Sequence, residues 1–263
     1  MTTVVSADGT VIACTATGAG PAVVFVDGAL CHRAFGPGPG IAAALADRFT
    51  VYTYDRRGRG ESGDTAPFAV EREIEDLAAV IAAAGGSAYV VALSSGGALA
   101  LRAAAVGVDM TKLAVYEPPF GVDPAQRERF AAYAAELAPA LAEGRRGDAA
   151  ALFMALTGAP ETVIDQMRNS PAWPAFEAVA PTLAYDAAAL GTDTGGAVPA
   201  DVLGKIAIPV LALDGGASPD VLRAPTRAVA DVVPGAAYGT LAGQTHEVAP
   251  EVLGAALGEF FGR

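Results

Sequence analysis

Three observations predict an α/β fold built on a mostly parallel sheet. Short apolar runs rich in β-prone residues recur along the chain, as at 22–26, 89–93 and 112–116. Alanine-rich stretches of helical character alternate with them. Strands that alternate with helices need crossover connections, and crossovers give parallel pairing with helices packed on the faces. Finally, 263 residues that are 52% hydrophobic suffice for one large core.

The elements follow in order. Residues 4–6 and 11–15 read as an opening hairpin joined by Asp8-Gly9, a strong turn signal. Residues 22–26 form the next strand, 41–46 part of a helix, and 49–54 a strand. The stretch 70–84 is amphipathic, with Ile74, Leu77, Val80 and Ile81 on one face and Glu71, Arg72, Glu75 and Asp76 on the other. A buried strand at 89–93 precedes an alanine-rich helix from Ala98 onward. The strand 112–116 ends in Glu117-Pro118-Pro119. From about Phe120 the character changes: helical stretches at 124–141, 148–156, 161–167 and 176–190 follow with no strand between them. The Gly- and Thr-rich stretch 193–199 reads as a return linker. A strand at 208–213, a helix at 219–232, a strand near 238–241 and a last helix at 250–261 complete the pattern.

Charge and composition exclude several classes. The balance of 17 basic and 29 acidic residues gives a net charge of −12, which repels nucleic-acid phosphates. Arg56, Arg57 and Arg59 cluster on one tight turn and are expected to be structural, exposed or bonded to carbonyls. No apolar run approaches the ~18 residues of a membrane span. No secretory segment is expected near Met1 either, since the first basic residue is Arg33. Two cysteines, Cys14 and Cys31, are too few for a disulfide framework, so a cytoplasmic protein with two separate thiols is the expectation. With His32 and His246 as the only histidines, no zinc cluster is expected. Abundant Ala and Gly with few lysines suggest a GC-rich bacterial genome.

Ser94 stands where the strand stops and the next helix begins, in Ala92-Leu93-Ser94-Ser95-Gly96. Small residues there permit a tight strand-to-helix turn that lifts a hydroxyl above the sheet edge. The following helix points its unpaired N–H groups at the same spot, where a developing negative charge would find donors. The usual pattern is Gly-x-Ser-x-Gly, and Ala92 replaces its first glycine. A serine that merely caps a helix would leave a similar trace.

Three further segments occur in a fixed order around it. They are 22–26 ending in Asp27-Gly28-Ala29, the run Asp55-Arg56-Arg57-Gly58-Arg59-Gly60-Glu61-Ser62, and Gly243-Gln244-Thr245-His246 before the last helix. Together these resemble the α/β-hydrolase superfamily, from about residue 10 to the end. The resemblance implies an eight-stranded, mostly parallel sheet flanked by helices and a Ser…acid…His order. It implies a core of residues 1–119 and 200–263, with 120–199 inserted as a helical cap over the active site.

For the site, the resemblance implies Ser94 as nucleophile and His246 as general base. Backbone N–H groups of Ala29 and Ser95 would form the oxyanion hole. The acid is less direct. Ser218 stands where the superfamily usually has Asp, bracketed by Asp214 and Asp220. Some members draw the acid from the end of the preceding core strand, where this chain has Glu117. Glu117 is the choice, with Asp214 and Asp220 as alternatives. Asp27 replaces a usual His; a carboxylate at the mouth would disfavour anionic substrates or bond a loop N–H. His32 is a further candidate for the pocket wall.

The expected activity is hydrolysis of a carboxylic ester or related acyl bond in a small, mostly apolar molecule, through an acyl-enzyme and without cofactor or metal. Relatives with Asp at the elbow, such as epoxide hydrolases and haloalkane dehalogenases, differ at Ser94. The alternative is a non-hydrolytic member (a lyase, cyclase or small-molecule binder), or a perhydrolase or haloperoxidase-like activity on the same triad. A small-molecule substrate is the expected partner, with no nucleic acid or membrane, and the sequence leaves the oligomeric state open.

Overall fold

The computed structural model describes residues 2–262. Its strands are β1 (Thr2–Val5), β2 (Val11–Gly18), β3 (Ala22–Val26), β4 (Thr50–Tyr54), β5 (Ala88–Leu93), β6 (Met110–Tyr116), β7 (Val210–Gly215) and β8 (Ala237–Leu241). They form one sheet in the order β1-β2-β4-β3-β5-β6-β7-β8. β2 pairs antiparallel with β1 and β4, and the other pairings are parallel. The fold is therefore the mostly parallel, helix-flanked eight-stranded sheet that the sequence implies.

Alternation along the central strands sorts side chains into two cores. Val23, Phe25, Val91 and Leu93 face α1 (Gly38–Leu45) and α11 (Pro250–Phe261), through Ile41, Leu45, Leu253 and Leu257. Val24, Val26, Val90 and Ala92 face the other way, onto α2 (Val70–Ala83) and α3 (Ser95–Ala105). Strands buried on both faces read as continuous apolar runs, which is why 22–26 and 89–93 were so visible. Each such Val or Leu contributes roughly 1.5–3 kcal/mol on burial.

The chain leaves β3 through α1 to β4 on one side, then returns through α2 to β5 on the other. The sheet order reverses at that point, and open α/β sheets bind ligands at the carboxyl ends of strands beside such a switch. Asp27-Gly28-Ala29 follow β3 there, and Ser94 follows β5.

Between β6 and β7 the chain is helical: α4 (Pro124–Ala142), α5 (Arg146–Leu156), α6 (Glu161–Arg168), α7 (Trp173–Val179), α8 (Leu183–Leu190) and α9 (Ala200–Leu203). Asp123 caps α4 by accepting from Gln126 N at 2.8 Å, with Pro124 in the first turn. After β7, α10 (Asp220–Val232) leads to β8. Two details differ from the sequence reading. The stretch 176–190 is not one helix: Pro181 lacks an N–H, and a 3₁₀ turn at Ala180–Thr182 separates α7 from α8. The first strand starts at Thr2 and ends at Val5, because Ser6 belongs to the turn and bonds Thr10 across it.

Candidate active site

Ser94 lies between the end of β5 and the start of α3 at φ 53°, ψ −127°. A residue with a β-carbon in so sparse a region costs about 1–3 kcal/mol, so its surroundings must hold it there. Its N–H donates to Tyr116 O at 2.9 Å, and its carbonyl accepts from Gly97 N at 2.9 Å. Gly96 is needed for close approach: a Cβ there would sit 2.5 Å from Asp27 O and 2.7 Å from Val26 O. The β3 and β5 loops therefore meet backbone to backbone. Ala29 and Ser95 line one cavity with Ser94. Neither their N–H groups nor Ser94 Oγ form hydrogen bonds among the described residues.

His246 lies in the loop after β8, lines the same cavity and is partly exposed. Its loop is held by backbone contacts. Tyr116 Oη donates to Thr245 O at 2.5 Å, Ala217 N to Gln244 O at 2.8 Å, and Ala249 N to Gln244 Oε1 at 2.8 Å. Gly215 permits the approach, since a Cβ there would lie 2.4 Å from Gln244 O. His246 Nδ1 is 2.7 Å from Glu117 Oε2. No direct hydrogen bond joins His246 to Ser94 among the described residues, contrary to the reach expected from their roles. Such bonds are often long before substrate binds.

Glu117 is fully buried at the end of β6, in a left-handed backbone conformation of φ 46°. Its Oε1 accepts from Gly215 N at 2.8 Å. Burial pushes its carboxyl up, but the hydrogen bonds from His246 and Gly215 N–H, with the Ser218 hydroxyl nearby, outweigh that and hold it below its ordinary value. An ionised carboxylate only accepts, so Nδ1 carries the proton and Nε2 is left as the basic nitrogen.

The alternative acids are engaged elsewhere. Asp214 is buried, accepting from Tyr238 Oη at 2.6 Å and Arg223 Nε at 3.3 Å. Asp220 is exposed and pairs with Arg227. Asp27 is not at the mouth. It is buried, its Oδ1 accepts from Gly28 N at 2.9 Å, and burial pushes its carboxyl up to about 7. His32 Nδ1 accepts from Ala34 N at 3.3 Å and its ring lies near Phe35, apart from the cavity lining.

The arginine turn is structural and bonded to carbonyls as expected, at Asp27 O, Arg72 O and Gly28 O, but it is not exposed. Arg56, Arg57 and Arg59 are all buried. Arg57 forms a two-point pair with Asp76 at 2.8 Å for each contact. Arg56 does the same with Glu73, and its Nη1 is 2.7 Å from Asp186 Oδ1. Arg59 Nη2 is 2.8 Å from Asp186 Oδ2. A guanidinium's planar fork suits such paired contacts, which compensate its desolvation. Asp186, on α8, had no signal in the sequence beyond being an acid in an alanine-rich helix. Tyr116 and Gln244 were also missed; each reads locally as ordinary strand or loop.

The cavity has a volume of about 240 Å³ and mainly apolar walls. Phe130 and Tyr133 of α4, Phe153 and Leu156 of α5, and Leu190 of α8 line it together with Ser94. Ala187 of α8 also lines it, whereas four larger apolar residues of the inserted helices do not. Trp173 and Leu183 are core residues, Phe176 packs edge-on against Phe35, and Tyr185 stacks on Phe68. Cys14 and Cys31 are free thiols. Among the described residues no group of three or more His, Cys, Asp or Glu could hold a metal, and no helix is long and apolar enough to cross a membrane.

Residues 18–255 match the model of the alpha/beta hydrolase family. A crystal structure of an alpha/beta hydrolase from Sphaerobacter thermophilus is 50% identical, with 99% of this chain and 100% of that one covered and a TM-score of 0.87. A thermophilic esterase from Thermogutta terrifontis superposes at a TM-score of 0.69 with 22% identity, covering 99% and 97% of the two chains. An enol-lactonase from Burkholderia xenovorans does so at 0.68 with 18% identity, covering 97% and 98%. The latter two likenesses show the fold alone. No curated protein matches the chain.

Proposed function

The chain belongs to the alpha/beta hydrolase family, and from that premise we propose that it is a serine hydrolase cleaving a carboxylic ester, or a related acyl bond, in a small and mostly apolar molecule. One observation carries the reading: the cavity onto which the strained Ser94 turn opens also holds a histidine tied at Nδ1 to a buried carboxylate. A serine hydroxyl is a weak nucleophile and needs such a base. In this reading Ser94 Oγ attacks the carbonyl carbon while His246 Nε2 takes its proton. The carbonyl oxygen becomes an oxyanion facing the Ala29 and Ser95 N–H groups. Collapse expels the alcohol, which receives the proton from His246 and leaves an acyl-serine. Water, deprotonated by His246, then releases the acid and restores Ser94. Glu117 fixes the tautomer and stabilises the imidazolium during both transfers.

The inserted segment 120–199 acts as a cap in this proposal, since three of its helices supply apolar wall to the cavity that Ser94 lines. The walls favour an uncharged acyl group. A fluorophosphonate probe, followed by p-nitrophenyl esters of increasing acyl length, tests the reading. Labelling of the native protein but not of Ser94→Ala is expected, with ester turnover that depends on acyl length. Failure of the probe to label the native protein would overturn the hydrolase reading.

A further inference from the structure

Asp186 makes more contacts than anchoring a helix requires. Its Oδ1 accepts from Ser95 Oγ at 2.8 Å as well as from Arg56, while Oδ2 takes Arg59. Arg59 in turn donates through Nη1 to Gly28 O at 2.5 Å, and Arg56 donates to Asp27 O at 3.2 Å. The Gly28 carbonyl and the Ala29 N–H belong to one planar trans peptide and point in opposite directions. A donor fixed on that carbonyl therefore sets the direction of the N–H. It also polarises the peptide, making the N–H a stronger donor. Ser95 bears the other N–H, and its hydroxyl is held by the same carboxylate. Two backbone donors on separate loops, after β3 and after β5, are thus tied to one side chain that neither loop supplies.

We propose that Asp186 is a positioning residue for the oxyanion hole, registering the Ser95 donor directly and the Ala29 donor through Arg59. This rests on the hydrolase reading above. Because α8 belongs to the inserted segment, the donor geometry is complete only with α8 docked. Burial opposes a charge on Asp186, but Arg59, Arg56 and Ser95 together hold its carboxyl below the ordinary value, so it remains an acceptor at neutral pH. A role confined to anchoring α8 would leave the Ser95 bond redundant. Arg102 Nε donates to Ala189 O at 2.6 Å, and Tyr185 Oη donates to Asp64 Oδ2 at 2.7 Å, so α8 has independent attachments.

Ser95→Ala separates the two roles. It keeps the backbone N–H and both arginine pairs and removes only the hydroxyl link. The native protein is first shown to react with a fluorophosphonate. Then kcat, KM, inhibition by an alkylboronic acid and melting temperature are compared across native, Ser95→Ala and Arg59→Lys proteins. The boronate adds the serine oxygen and mimics the tetrahedral intermediate. For Ser95→Ala, kcat should fall about tenfold or more, with boronate affinity falling in parallel and KM staying within about twofold. Its melting temperature should hardly move. Arg59→Lys, which loses the fork that reaches both Gly28 O and Asp186, should show the same parallel loss together with lower stability. Native-like kcat and boronate affinity in Ser95→Ala would overturn the proposal while leaving the hydrolase reading intact. So would a change confined to KM. A native protein that never reacts with the fluorophosphonate would overturn both.

Discussion

Glu117 and Asp186 are both buried carboxylates near Ser94, but they keep different company. Asp186 faces two guanidiniums, Arg56 and Arg59, whose charge is permanent. Glu117 faces an imidazole, a backbone N–H and a hydroxyl, and none of these carries fixed charge. Asp186 is neutralised at rest, so its field changes little during any reaction. In the proposed reaction, Glu117 has no charged partner until His246 takes a proton. A unit charge about 4 Å away at an effective dielectric near 20 is worth about 4 kcal/mol, and Glu117 offers that stabilisation only to the imidazolium. Stabilisation given selectively to a charge that forms during the reaction lowers the barrier. The comparison teaches that a partner's capacity to change charge, rather than burial itself, separates a chemical carboxylate from a scaffolding one.

The sharpest way to break this contrast is kinetic. Ser94→Ala and His246→Ala should each lose on the order of 10⁴ or more in ester turnover, and the double variant little beyond either, because the members act as a unit. Glu117→Gln keeps the shape and one hydrogen bond but lacks the charge. It should lose about 10³–10⁴ in kcat with a small change in melting temperature. Asp214→Asn, measured beside it, should retain most turnover, since Asp214 is spent on Tyr238 and Arg223. The reverse ranking would show that the acid had been misassigned and would dissolve the contrast drawn here.

The scaffolding half is tested by stability. Asp186→Ala leaves Arg59 without a carboxylate partner and Arg56 with only Glu73. Removing one member of a buried charge network typically costs about 3–5 kcal/mol, since the remaining charge stays desolvated. Urea unfolding of Asp186→Ala against Glu117→Gln should therefore show a large loss for the first and a small one for the second. Equal losses would mean that Glu117 is as structural as Asp186.

Local signals explain which parts of this were legible. The turn at Ser94 could be read because strand-type and helix-type sequence meet at small residues. Glu117 stood out because Pro118-Pro119 end the strand and Ser218 cannot supply a charge. The arginine turn could be located but not its environment: Gly58 and Gly60 suggest an exposed loop, whereas the carboxylates that allow burial come from α2 and α8. Asp186 was invisible for the same reason. Its partners Arg56 and Arg59 lie 130 and 127 residues away in sequence. An isolated acid in an alanine-rich helix carries no periodic pattern, so tertiary packing alone gives it meaning. The break at Pro181 could have been read from the chain, since proline removes a helical donor.

The smallest expected effect concerns a third buried carboxyl, Asp27, which lies between the other two in character. Desolvation raises it to about 7, against lowering contributions from the Gly28 N–H, Arg59, Cys31 and Arg56. Its guanidinium neighbours are already claimed by Asp186 and Glu73, so its charge is compensated less well than that of Asp186. The sign follows from linkage. Between about 4, where the unfolded carboxyl loses its proton, and about 7, the folded protein holds one proton more than the unfolded chain. Asp27 therefore makes stability fall as pH rises through that window, with no further change above it. Asp27→Asn cannot ionise, yet its amide oxygen can still accept from Gly28 N–H. The difference in melting temperature between Asp27→Asn and the native protein should thus be small or negative near pH 5. It should grow in favour of the variant by several degrees up to pH 8, a shift equivalent to about 2–3 kcal/mol. A difference that stays flat from pH 5 to 8 would mean that Asp27 is ionised throughout. It would then belong with Asp186, as a carboxylate neutralised by the arginine turn.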